Sequence, residues 1–130
     1  MGVEPRRYSA ALELVIAQRL IRLLCEACKK PGKPAPSELD TLKIVPADDM
    51  RFHRAVGCDT CGGTGFYGRT GIFEILYPDE NMKQFFETHA TPTVIREMAR
   101  KTGMRTLREE GVLKILKGQT TAEEVIRVTM

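Results

Sequence analysis

All four cysteines of this 130-residue chain fall into two Cys-x-x-Cys pairs, Cys25 with Cys28 and Cys58 with Cys61. Each pair can place two sulfur atoms on the same side of a tight turn, and residues 29–57 allow the chain to fold back between the pairs. Structural Zn²⁺ sites take four such ligands in a tetrahedron, with Zn–S distances of about 2.3 Å. The spacing therefore predicts one closed zinc site, whose role is structural and not catalytic.

The residues around the cysteines favour a metal-dependent segment. Glycines at positions 62, 63 and 65 permit the positive φ angles of a tight knuckle after the second pair. Prolines at positions 31, 34 and 36 prevent a helix from continuing after the first pair. We therefore expect metal binding to contribute to the folding of this segment.

Three other uses of the cysteines remain open at this stage. Two disulfides would require an oxidising compartment, to which nothing else in the sequence points. A thioredoxin-like redox pair would need a single motif in a βαβ context. Four unrelated buried thiols would seldom form two spaced pairs. With four sulfurs available, His53 and His89 are interpreted as ordinary surface or partly packed residues.

Composition is ordinary for a soluble globular protein, with 42% hydrophobic and 28% charged residues and a net charge of +3. The length suits one domain or two small lobes. We see neither a membrane-spanning stretch of about 20 apolar residues nor a secretory signal, and we expect a cytoplasmic location. The basic bias of residues 1–34 is dispersed and lacks interleaved aromatic residues, so we expect no nucleic-acid partner.

Hydrophobic periodicity predicts a mostly helical α+β chain. Residues 9–24 have the i, i+3, i+4 pattern of an amphipathic helix, with Ser9 as its N-cap and Leu12, Val15, Ile16, Leu20, Leu23 and Leu24 on the apolar face. A short helix is predicted over 38–44, and strands over 50–56, with Phe52 and Val56 on one face, and over 69–76.

Capping residues divide the C-terminal part into four predicted helices. Asp79, Thr91 before Pro92, Thr106 and Thr120 are the predicted starts, the last with Glu123 in a capping box. Gly103 and Gly118 are predicted stops. Side chains predicted to face the core are Met82, Phe85, Phe86, Ile95, Met98, Ala99, Val125 and Ile126.

Two further motifs overlap the second cysteine pair. Residues 63–70, GTGFYGRT, match the phosphate-binding loop G-x-x-x-x-G-K-[ST] except at Arg69. Such a loop leaves a strand and opens a helix, whereas this segment follows a cysteine knuckle and precedes a predicted strand. Residues 58–65 fit one Cys-x-x-Cys-x-Gly-x-Gly repeat of DnaJ-type chaperones, which carry four such repeats and two zinc sites.

Three segments in order, 1–29, 57–76 and 105–129, resemble the C-terminal region of type II secretion and type IV pilus assembly ATPases, the GspE/PilB-type family. The most distinctive stretches are AQRLIR before the first pair, GRTGIFEIL after the second, and the terminal GQTTAEEVIRVT. The resemblance extends from Gly2 to Thr129. The order of these three stretches along the chain makes the resemblance specific.

The resemblance implies an α+β fold with a small tetracysteine zinc-binding subdomain that has short β-strands, followed by a C-terminal helical lobe. Cys25, Cys28, Cys58 and Cys61 match the family's zinc ligands. Residues 1–24 would be the helical tail of the ATPase core, 25–66 the zinc subdomain, and 67–130 a strand plus the helical lobe.

The family's full enzyme is a hexameric RecA-like ATPase at the cytoplasmic face of the inner membrane. Its Walker A, Walker B, acidic and histidine boxes lie upstream of this segment, so we expect a fragment without catalytic residues. ATP and Mg²⁺ would belong to the parent protein only. Expected partners are neighbouring subunits and inner-membrane platform proteins.

Two assignments stay open. Arg6, Arg7, Arg19, Arg22 and Arg69 could contact a neighbouring subunit's acidic face or nucleotide, or simply be solvated. A freestanding zinc-ribbon adaptor or DnaJ-type binding module is the alternative function, and a redox enzyme is a third.

Overall fold

The computed structural model describes residues 14–87 and 91–130, and within them the chain is a mixture of helices and strands. In chain order the elements are β1 (Val15–Leu24), β2 (Lys30–Pro31), α1 (Pro36–Leu42), β3 (His53–Arg54), β4 (Phe66–Leu76), α2 (Glu80–Glu87), α3 (Pro92–Lys101), α4 (Leu107–Leu116) and α5 (Ala122–Thr129). The α+β prediction is therefore confirmed. None of the helices within the described residues has the length and hydrophobicity of a membrane span.

The strands form two two-stranded sheets. One pairs β1 with β4, and the other pairs β2 with β3 in antiparallel fashion, with Lys30 opposite Arg54 and Pro31 opposite His53. Two compact units divide the chain. Gln18–Phe73 and Thr106–Met130 form the unit that holds all four cysteines, and Glu74–Arg105 belong to the other.

The helix predicted over residues 9–24 is wrong where the structure describes it, because Val15–Leu24 is strand β1. Residues 9–13, including Ser9 and Leu12, lie outside the described residues. Apolar residues occupy most positions of this segment, so helical spacing was satisfied without a helix, and pairing with β4 determined the outcome. Ile21 is fully buried, whereas Leu20 is 51% exposed, as expected for alternating strand faces.

The other two predicted strands had different outcomes. The strand predicted over 69–76 is confirmed as β4, which begins earlier, at Phe66. The strand predicted over 50–56 is reduced to His53–Arg54. Phe52 packs into the core while Val56 is exposed, so these two residues do not share a buried face. The short strands expected between residues 25 and 66 are present as β2 and β3, which have two residues each.

Local capping chemistry was predicted well. The Oδ1 atom of Asp79 accepts a hydrogen bond from the Met82 amide (2.8 Å), and the hydroxyls of Thr91 and Thr106 cap α3 and α4 in the same way. Gly103 and Gly118 have the positive φ angles expected after helices. The short helix is shifted, since α1 spans Pro36–Leu42 instead of 38–44.

Burial in the helices follows the prediction in part. Met82, Ala99 and Val125 are buried, whereas Ile95, Met98 and Ile126 are partly exposed. The side chains of Phe85 and Phe86 lie outside the described set.

The predicted cap of the last helix is off by one residue. Thr121 caps α5 by accepting from the Glu124 amide (3.1 Å), while Thr120 is fully buried and its hydroxyl donates to the Arg22 carbonyl (2.9 Å). The predicted capping box of Thr120 with Glu123 is therefore wrong, because burial of Thr120 against β1 sets the register of the turn.

A hydrophobic core in the cysteine-containing unit joins α1, α4 and α5. Its buried members are Leu42, Ile44, Phe52, Ile115, Ala122 and Val125. A Cβ atom added at Gly111 would lie 2.5 Å from Val125 Cγ1, so the absence of a side chain at Gly111 lets α4 and α5 approach closely.

A buried carboxylate connects α5 to β1. Glu124 has no exposed surface, and its two oxygens accept five hydrogen bonds: from the Arg22 amide, Arg22 Nε and Nη2, and Arg127 Nε and Nη2 (2.7–3.1 Å). Burial alone would raise the Glu124 pKa, but the hydrogen bonds from Arg127 and Arg22 lower it to about 2. The carboxylate therefore stays ionised in the folded state.

Replacing Glu124 with Gln tests this connection. The folded-state pKa of about 2 lies below the ordinary value of 4.5, so the stabilisation is fully present above pH 4.5 and is lost as the pH falls toward 2. At pH 7 we expect Glu124→Gln to lower the free energy of unfolding by on the order of 3 kcal/mol, measured by urea titration. The deficit should shrink toward pH 2.

The matched control is Glu123→Gln, one residue away on an exposed side chain. It should change stability by no more than about 0.5 kcal/mol. A Glu124→Gln deficit that is the same at pH 7 and pH 2 would contradict the assignment.

Candidate metal centre

The first cysteine pair follows directly from strand β1. Cys25 comes immediately after Leu24, and its carbonyl accepts hydrogen bonds from the amides of Cys28 (3.3 Å) and Lys29 (2.9 Å). The Cys25 amide donates to the Gly65 carbonyl (2.9 Å), which fixes the first turn against the second. The turn thus directs both sulfurs of this pair toward the second pair.

The second pair lies in a glycine-rich turn before β4. The Gly63 amide donates to the Cys58 carbonyl (2.8 Å), and both Gly62 and Gly63 have positive φ. A Cβ atom added at Gly57 would lie 2.6 Å from the Gly63 carbonyl oxygen. Glycine is therefore required where the two ends of this turn cross, both for φ and for space.

The structure brings all four predicted ligands together. Every sulfur lies within 4.8 Å of every other. The separations are 3.8 Å for Cys25–Cys58 and Cys58–Cys61, and 3.9 Å for Cys28–Cys61. Four sulfurs bound at about 2.3 Å to a tetrahedral ion lie about 3.8 Å apart, so the donor set and its spacing fit Zn²⁺.

Backbone amides point at two of the sulfurs. Cys61 Sγ accepts from the amides of Cys58 and Gly65, both at 3.2 Å, and Cys28 Sγ accepts from the Gly57 amide at 3.3 Å. Such hydrogen bonds stabilise thiolates and orient them for a cation. The glycine-rich turn therefore reverses the chain and also supplies hydrogen-bond donors to the sulfurs.

The surroundings of the sulfurs differ in how strongly they favour the thiolate form. Burial raises the Cys61 pKa, but the Cys58 and Gly65 amides more than offset this and lower it to about 6. The Gly57 amide lowers the Cys28 pKa, but burial and the three neighbouring sulfurs raise it to about 11. One thiol thus keeps its proton at neutral pH unless a positive ion offsets the repulsion among thiolates.

The alternative uses of these cysteines fit the geometry less well. All four are free thiols, with sulfur separations far above the roughly 2.05 Å of a disulfide. The second pair is followed by turns and then by β4, whereas a thioredoxin-like pair needs a βαβ context.

The phosphate-loop alternative also fails on geometry. Residues 63–70 run from the knuckle directly into β4, which starts at Phe66 and extends to Leu76. No helix N-terminus follows Arg69, so the amide cradle that binds phosphates is missing from this segment.

His53 is not part of the sulfur cluster that the structure describes. His53 lies in β3, and a Cβ added at Gly118 would be 3.1 Å from its Cε1 atom. Its Nδ1 atom is buried and has no hydrogen-bond partner among the described residues. His89 lies outside the described residues.

Sequence reasoning missed Lys29, which links the knuckle to the turn before α5. Its Nζ atom donates to the Gly118 carbonyl (2.9 Å) and pairs with Glu26 Oε1 (3.0 Å). The Leu24 amide likewise donates to the Gln119 carbonyl (2.8 Å). The contacts with residues 118 and 119 join positions about 90 residues apart in sequence, and no local pattern signals them.

Comparison with known proteins identifies the family of this chain. Residues 1–127 match the family described as Type II/IV secretion system protein. The chain belongs to that family.

Individual members of the secretion family align over almost the whole chain. The type IV pilus assembly ATPase PilB of Thermus thermophilus is 45% identical over 100% of this chain and 15% of its own length. Type II secretion system protein E of Pseudomonas aeruginosa is 40% identical over 99% of this chain and 26% of its own length. The type II secretion system ATPase E of Vibrio cholerae is 35% identical over 99% and 25%.

The chain therefore spans only 15% to 26% of the length of these secretion-family relatives. Their names attach ATPase activity to the longer proteins. The similarity concerns the segment that contains the sulfur cluster.

Metal content tests the site directly. Purified without chelator, this secretion-family chain should hold about one equivalent of zinc, and Cys58→Ser should hold much less because an incomplete set of thiolates binds weakly. Elemental analysis provides the measurement. Thr60→Ser, in the same turn but without a sulfur, is the matched control and should keep its metal.

Equal zinc content in the Cys58→Ser variant and the parent chain would contradict the site. So would a reduced parent chain that takes up no zinc on titration.

Proposed function

We propose that this chain is the C-terminal zinc-binding portion of a hexameric traffic ATPase that drives type II secretion or type IV pilus assembly. Its role there is structural: it couples the motor to its surroundings and does not hydrolyse ATP by itself. The observation that carries the proposal is the convergence of four sulfurs at tetrahedral spacing in a chain of this family.

Zn²⁺ would be held by Cys25, Cys28, Cys58 and Cys61 and would supply a cross-link that neutralises their charge. With four protein ligands such a site has no open position for a substrate or water. The chain's own residues then position the lobe: the Gly57, Cys58 and Gly65 amides orient two of the sulfurs.

The path from the cluster to the helical part is short. The residues that flank the first cysteine pair bond to the turn at residues 118–119, through the Lys29 side chain and the Leu24 amide. Thr120 and Glu124 continue the connection by bonding to Arg22 of β1. Fixing the sulfurs therefore fixes where α5 begins.

In the assembled machine this lobe would face neighbouring subunits and inner-membrane platform proteins, at the cytoplasmic side of that membrane. ATP and Mg²⁺ would bind elsewhere in the parent protein. The names of the relatives support this assignment by association, since they include both pilus and secretion ATPases.

ATP turnover tests the absence of catalysis. We expect the purified chain with Mg²⁺ and ATP to release phosphate no faster than buffer. The reason is that residues 63–70, which resemble a phosphate-binding loop, lead into a strand and not into a helix. Arg69→Ala serves as the control for any residual activity. Turnover that saturates with ATP and is abolished by Arg69→Ala would overturn this part of the proposal.

Hydrogen exchange tests the coupling of the metal to the helices. Removing zinc with a chelator should increase amide exchange in α4 and α5 by about tenfold or more, because their anchor to the knuckle is released. Amides of α3, in the other unit, should change little. Unaltered exchange in α5 after complete zinc removal would contradict a coupling role.

A further inference from the structure

Five cationic side chains line two clefts in the cysteine-containing unit. One cleft, of about 250 Å³, has Lys33 and Arg54 in its lining, and the other, of about 410 Å³, has Arg69. The two clefts share Arg22, Phe66 and Arg127, so they form one surface. We call this surface the basic cleft, defined by Arg22, Lys33, Arg54, Arg69 and Arg127.

Two of these cations, Arg22 and Arg127, are fixed by contacts with neighbouring side chains. The Arg22 guanidinium lies 4.1 Å from the centre of the Phe66 ring and also bonds to Glu124. Arg127 bonds to the same carboxylate. Their side chains remain 44% and 57% exposed, so they keep solvent-facing surface for a ligand while losing little freedom on binding.

The charge of the basic cleft is not cancelled by its own acids. Glu124 is fully buried and saturated by the two arginines, and Glu38 accepts from the Ala35 amide at the start of α1. Glu123 is the remaining acid in the lining. Five cations thus face three carboxylates, of which one is shielded from solvent.

The outer cations have no acidic partner in the part of the chain that the structure describes. Among the described residues, Lys33, Arg54 and Arg69 form no ion pair with an acid. They lie on different sides of the shared centre, since Lys33 and Arg54 line one cleft and Arg69 the other. A ligand that satisfies all of them must carry several negative charges spread along its length.

We propose that the basic cleft binds an acidic segment of a partner protein, rich in aspartate and glutamate. Carboxylates spaced along a peptide match cations distributed over two adjoining clefts, whereas a single phosphate group would engage only one side. The Phe66 ring between them offers apolar contact for the peptide's aliphatic carbons. This inference goes beyond the proposed structural role, and it uses none of the metal ligands.

Fluorescence polarisation with a short labelled glutamate-rich peptide tests the proposal on the zinc-loaded chain. We expect binding that weakens as salt is raised, and no comparable binding of the same peptide with glutamine in place of glutamate. The double variant Lys33→Glu with Arg54→Glu should lower affinity at least about tenfold, since both residues are exposed and like charges repel.

The matched control is Arg51→Glu, an equal charge reversal at an exposed residue that lines neither cleft. It should change affinity by less than about twofold. Zinc content and circular dichroism of every variant should equal those of the parent, so that lost binding is not lost folding.

Three outcomes would overturn the proposal. The glutamine peptide binds as well as the glutamate peptide; Arg51→Glu weakens binding as much as the double variant; or inorganic phosphate or anionic lipid vesicles bind in a variant-sensitive way while the peptide does not. Any of these would leave the zinc site and its structural role intact, because the metal assays do not depend on the cleft.

Discussion

The mutual repulsion of four sulfur atoms held within 4.8 Å is the constraint on which this structure depends. Burial and the neighbouring sulfurs oppose full ionisation of the cluster and raise the pKa of Cys28 to about 11. With a divalent cation the same closeness becomes a cross-link between the turn that follows β1 and the glycine-rich turn that precedes β4. The turn before α5 is bonded to this cross-linked region through Lys29 and Leu24, so its position follows from the cluster.

Features that depend on local chemistry were predictable from the sequence. The cysteine spacing predicted the cluster. Asp79, Thr91 and Thr106 cap helices as expected, because each side-chain oxygen accepts a hydrogen bond from a free backbone amide only three residues later. Gly103 and Gly118 end helices for an equally local reason, the low cost of positive φ. Strand β4 was found through its β-branched and aromatic residues.

Features decided by distant partners were not predictable. The segment of β1 is apolar enough to satisfy either period, and only pairing with β4 makes it a strand. Thr120 and Thr121 are equivalent as caps in sequence, and the choice between them depends on burial of Thr120 against Arg22, 98 positions away. The hydrogen bonds of Glu124 with Arg22 and Arg127 have the same long-range origin. They also fix the positions of these two arginines in the basic cleft.

The segment between the two cysteine pairs is held near both ends, by the cysteine turns and by the two-residue pairing of β2 with β3. Between α1 and β3 it includes residues 45–49, which are exposed and form no helix or strand. The entropic cost of closing a loop grows slowly, by roughly 0.6 kcal/mol for each doubling of its length. Residues 45–49 are therefore where the polypeptide can be lengthened at least cost, so a tag or small insert placed there would leave the sulfur geometry undisturbed.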